Sequence, residues 1–135
     1  MGRIRVKDTM AAFAEVLTTV DGIDKAWGYP KWGAGVGEAV VGYPESIEYD
    51  ATMGDGSDRA TFVIWTLVGL ANEEETVARI DALVGDVKET LEADALDVIS
   101  EVLSSLRVTD AEVEVLLFDG GLRYAVLTHR IEVYS

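Results

Sequence analysis

The chain has one histidine, His129, and no cysteine. Those two counts remove most of the chemistry a small protein could carry. Without cysteine there are no disulfides, thiolate nucleophiles or Cys-based zinc sites. A single imidazole excludes a His-rich metal site. His129 falls in an alternating stretch, on the same face as Leu127 and Ile131, so it is expected to be a core or sheet-edge histidine with its hydrogen bonds satisfied. A Ser-His-Asp site would need Ser57, Ser104, Ser105 or another serine beside it, and no nucleophile-elbow sequence is present. Gly33-Ala-Gly-Val-Gly37 has the look of a phosphate-binding loop but the wrong spacing. Glu38 stands where the third glycine should be, and no strand leads into the run. Asp50, Asp55 and Asp58 around a Gly-rich turn could gather Ca²⁺, yet the EF-hand spacing and its closing Glu are missing, which favours a plain turn. A glycosidase-type carboxylate pair cannot be picked from 25 acidic residues by sequence alone. The expectation is no catalytic, cofactor or metal site, which points to a binding or structural protein.

The other unusual cluster is aromatic. Trp27, Tyr29, Pro30 and Trp32 crowd together ahead of Gly33, Gly35 and Gly37 in a loop spanning 22–37. Such rings either cap the open end of the core or form an apolar patch that a partner covers. The loop is also long and irregular for a simple connection. Trp27, Tyr29 and Trp32 are therefore candidate interface residues. Tyr124 and Arg130, on the outward face of the last strand, join them.

The elements that position these residues centre on 59–69. Phe62, Ile64 and Val68 fall on one side of a pleat, with Val63, Trp65 and Leu67 on the other. A strand apolar on both faces is expected to be central and covered on both. Asn72, with Glu75 three residues later, reads as a capping box, and the early carboxylates suit the positive end of a helix over about 73–92. Its stripe is Val77, Ile80, Val84, Val87 and Leu91. A first helix over about 7–20 follows from Val6, Met10, Phe13, Leu17 and Val20. The segment 1–6, holding Arg3 and Arg5, is an edge strand or a loose arm. Strands are expected over about 38–43 and 46–53, a turn at 54–58, and a short helix within 93–105 unless a strand begins near Leu103. A long hairpin over about 107–134 turns at Asp119-Gly-Gly121. The fold class is α+β: one domain, a mixed or mostly antiparallel sheet, flanking amphipathic helices and a terminal hairpin.

The 135 residues suffice for a core without staples, and the formal charge is −14 with 49% hydrophobic residues. Phosphates repel such a surface, so nucleic-acid binding is disfavoured, and disorder does not account for the composition. The acidity reads either as solubility or as a surface that nucleic acid passes without sticking. No segment nears the roughly 18 apolar residues of a membrane span, and the start is not a signal peptide. The absence of cysteine fits a reducing cytosol.

The order of these pieces resembles the tail terminator (tail-completion) proteins of long-tailed bacteriophages, those of actinobacteria above all. The resemblance runs from about Ala11 to the end. It is carried by Thr18-Thr-Val-Asp-Gly-Ile23, Ala26-Trp-Gly-Tyr-Pro30, Ala39-Val-Val-Gly-Tyr-Pro44 and Ile47-Glu-Tyr-Asp-Ala-Thr52, then by Gly56-Ser-Asp58, Gly85-Asp-Val-Lys-Glu-Thr-Leu-Glu-Ala-Asp94 and Arg123-Tyr-Ala-Val126. It departs at the glycine-rich 33–37 and in a longer 93–105. The resemblance implies a non-enzymatic virion protein, assembled in the host cytoplasm as a hexameric ring on the head-proximal end of the tail tube. Its implied partners are further copies of itself, the major tail tube protein and the head-tail connector or stopper, with DNA passing through unbound. Another neck protein is the nearest alternative. From a different class, a small acidic enzyme or ligand-binding domain would have its pocket under the aromatic loop.

Overall fold

Alternation along 59–69 places Ala60, Phe62, Ile64, Thr66 and Val68 on one face of a strand, and all five are buried. The computed structural model describes residues 4–49, 58–69, 73–99, 103–117 and 123–135. In chain order its elements are helix α1 (Val6–Leu17), strands β1 (Lys25–Trp27), β2 (Glu38–Val41), β3 (Ser46–Glu48) and β4 (Arg59–Gly69), and helix α2 (Glu73–Thr90). A π-type turn (Leu91–Ala95) and a single-turn helix α3 (Leu96–Ile99) follow, then strands β5 (Ser105–Leu117) and β6 (Arg123–Tyr134).

The strands form one six-stranded sheet in the order β1-β2-β4-β6-β5, with β3 also on β4. β1 pairs parallel to β2 and every other pair is antiparallel, so the sheet is mixed and the class is α+β. Backbone bonds from Gly42 to Val63 and from Glu45 to Thr61, both 2.8 Å, carry the pairing past Tyr43-Pro44. β2 and β3 are thus two halves of one line of pairing along β4, interrupted where proline has no N–H to give.

One face of the sheet holds the core. Met10, Phe13, Val16 and Leu17 of α1 and Leu83, Val87 and Leu91 from the α2 segment are buried with the inward residues of β4 and β6. Phe13 meets Phe62 edge-on, with centroids 5.5 Å apart and rings at 82°. Each such ring contributes about 1.5–3 kcal/mol by leaving water. Leu127, Ile131 and Val133 share this face as expected, together with His129.

Four expectations need correction. β4 is central, but the described helices cover only one of its faces. Lys25–Trp27, read as loop, is an edge strand, too short to show a period. The expected α2 stripe is rotated: Thr76 and Leu83 are buried, whereas Val77 is 67% and Val84 38% exposed. Burial of Thr76 is tolerated because its hydroxyl donates to the Gly69 carbonyl at 3.3 Å. Within 93–105, α3 is a single turn and β5 is under way by Ser105, earlier than the 107 expected. At the N-terminus, Ile4 and Arg5 form no strand and Val6 opens α1. Arg3, Asp50, Asp55, the second half of the 46–53 strand, the 54–57 turn, the Asn72 cap and the Asp119-Gly-Gly121 turn lie outside the described residues. No helix among the described residues is long and apolar enough to cross a membrane.

His129 is only 1% exposed. Its Nε2 lies 3.5 Å from the Val84 carbonyl, and Nδ1 has no partner among the described residues. Burial therefore holds its pKa below the ordinary 6.5, with the Val84 bond and the Asp110 charge opposing. The unfolded chain takes up the proton first, so this contribution to stability is whole above 6.5 and is lost as pH falls through the folded value. Urea midpoints measured between pH 7.5 and 5 should fall toward the acid side, and His129→Gln should flatten that slope.

Candidate functional site: an aromatic groove on the open face of the sheet

The face of the sheet away from the helices is also apolar. Val40 of β2, Trp65 and Leu67 of β4 and Val126 of β6 form the floor of an open groove of about 610 Å³. The segment 30–34 forms one bank, with Tyr43 nearby and Glu114 of β5 across from it. Register explains the floor: Val40 pairs with Trp65, Trp65 with Thr128, and Leu67 with Val126, so these residues rise from the same side.

Trp27 and Glu38 hold the bank in place. The Trp27 indole N–H donates to Glu38 Oε1 at 2.6 Å, and the Gly35 amide donates to Glu38 Oε2 at 3.0 Å. The Lys25 and Lys31 ammonium groups lie 4.0 and 4.5 Å from the Trp27 ring centroid, where cations favour the π face. Tyr29 meets the same ring edge-on at 5.8 Å. The Trp27 bond, then the Gly35 amide and the two lysines, hold the Glu38 carboxyl below its ordinary 4.5. Gly33 and Gly37 take φ of +74° and +83°, so the glycine run is a pair of turns leading into β2. A dinucleotide loop would instead leave a strand and open a helix.

The candidate residues therefore separate. Trp27 is a half-buried anchor, Tyr29 is exposed beside it, and Trp32 is 96% exposed at the lip of the groove. Trp27 shares the outer face with Val40 and stands outside the buried core, so the two tryptophans differ in exposure and neither caps the core. Arg130 is a clamp within the chain. Its Nε is 3.1 Å from Glu45, and its Nη1 lies 2.9 Å from Asp110 and 3.1 Å from Glu112. A register shift between Val108 and Asp110 puts Asp110 directly opposite Arg130. Tyr124 occupies the position of β6 opposite Gly69 and Leu116. The sequence reading missed Tyr43, Val40 and Trp65 as groove residues. The signal was the apolar outward set of β4, taken as a second buried face.

Among the described residues, no three His, Asp or Glu side chains converge to hold a metal ion. No family model and no curated protein matches this chain.

Gly42 keeps the floor in shape. A Cβ there would lie 2.6 Å from Trp65 Cη2 and 2.7 Å from Val63 Cγ2. Gly42→Ala should cost about 1–3 kcal/mol and shift tryptophan emission, as read by denaturation with fluorescence. Glu38→Gln retains one acceptor oxygen where two were used, so amide exchange at Gly35 should accelerate. In the parent chain that protection should hold above pH 4.5 and fade as acid protonates Glu38, because its folded pKa is the depressed one.

Proposed function

We propose that this chain is a non-catalytic assembly subunit of the tail-terminator type. In this reading it forms a ring of six copies that caps the head-proximal end of a phage tail tube, stops its growth and offers a joining surface to the head connector. The observation that carries the assembly role is Trp32, 96% exposed beside an open apolar groove. A tryptophan held in water next to apolar floor residues forgoes burial energy that a partner can supply, and tryptophan is the residue most enriched at interface hot spots. The assignment to the tail neck rests on the order of sequence motifs. Electrostatics is compatible with it: a ring of subunits at −14 each lets DNA pass through its channel without adhering.

A second reading has one observation in its favour: the groove lies under the aromatic loop, where a ligand-binding domain would have its pocket. Its open form and the outward Trp32 suit a macromolecular surface better than an enclosed small molecule.

Light scattering of the purified protein, alone and with assembled tail tubes, followed by negative-stain imaging, tests the proposal. Six-fold rings or one cap per tube end are expected. Trp32→Ala should remain folded and associate at least about tenfold more weakly, the scale of a hot-spot residue. A monomer that ignores tubes would return the question to a ligand screen.

A further inference from the structure

The helix-covered face of the sheet is not covered throughout. Beyond a buried centre, α2 leaves Val77 and Val84 exposed, two turns apart on one helix face. The His129 ring of β6 approaches the Val84 carbonyl, and Glu92, farther along the helical run, accepts the Val108 amide of β5 at 3.0 Å. Ala111 pairs with His129, and Val113 and Val115 follow on the same face of β5. No helix lies over them among the described residues, and they are 50% and 56% exposed. Val77 and Val84 on one side, and Val113 and Val115 on the other, thus border an apolar trough between α2 and the outer half of the hairpin.

We infer that this trough receives the Trp32 loop of a second copy of the same chain. Three observations support that occupant. The first is complementary form: Trp32 is a projecting ring, while the trough is open and lined by small branched side chains. The second is charge. Lys25 and Lys31 both lie over the Trp27 ring, next to the projecting ring, with Glu38 offsetting part of their charge. Asp81 stands one helical turn after Val77 on α2, so a locally basic projection meets an acidic residue at the rim. The third is position. The loop rises from the outer face of the sheet and the trough opens on the helix face, so one copy cannot fill its own trough. Two different patches that meet head-to-tail make a heterologous contact, which closes into a ring if the rotation between copies permits.

This inference rests on the assembly reading above and names the two surfaces it uses. The test pairs two variants at exposed positions: Trp32→Ala, which keeps the trough, and Val113→Lys, which keeps the tryptophan but sets a like charge against Lys31. Circular dichroism and melting should match the parent for both. Each variant alone should lose association by at least about tenfold in light scattering. Mixed together they should form one-to-one pairs and nothing larger, since only one good junction can be made. Parent rings that persist unchanged in Val113→Lys, or a mixture that stays monomeric while the parent assembles, would overturn the docking and leave the assembly reading intact. A parent that never assembles, alone or on tubes, would overturn both.

Discussion

The structure depends on a mismatch: a central strand apolar on both faces, with the described helices on only one. β4 places Phe62 and Ile64 under α1 and α2, and by the same alternation must put Val63, Trp65 and Leu67 on the opposite side. A strand cannot bury one set without presenting the other. Glycine at position 42 leaves room for Trp65 to lie against β2, and the Trp27–Glu38–Gly35 bonds hold the 30–34 segment at the edge of the exposed floor. The groove follows from that partial cover, and the outward Trp32 marks where the cover ends.

The charges fit the same division. A few carboxylates set geometry. Glu45, Asp110 and Glu112 converge on Arg130, tying β5, β6 and the β2–β3 link together across the outer face. Exposed ion pairs of this kind are individually weak. Their collective effect is to fix the register of the hairpin whose far half lacks a helix above it. Glu38 does the same for the aromatic loop. Lys25 and Lys31 bring positive charge beside the exposed Trp32 on a chain of formal charge −14, with Glu38 offsetting part of it.

The strongly periodic elements were legible in the sequence. α1 buries Met10, Phe13 and Leu17 as their spacing requires, and the inward set of β6 is the alternating one. The elements that escaped lacked a usable period. β1 is three residues long and is held by parallel pairing to β2, which no local pattern announces. The phase of α2 was misjudged because valines at 77 and 84 read as core. They are exposed beside a half of the hairpin over which no described helix lies, while Thr76 is buried with its hydroxyl bonded to the Gly69 carbonyl. For the site, the aromatic density singles out the loop. The division of labour between Trp27 and Trp32 depends on where Glu38 sits in β2, and composition does not encode that. Arg130 was read as an outward contact because its three carboxylate partners come from distant segments.

The central claim is that Trp32 is exposed in the lone subunit and covered by a second copy. The most direct measurement is ¹⁹F NMR of protein labelled with 5-fluorotryptophan, followed across a concentration series. The account predicts that the Trp32 resonance starts at the solvent-exposed position and moves as copies associate, while those of Trp27 and Trp65 stay nearly still. A Trp32 resonance that remains solvent-exposed in the assembled state would contradict it.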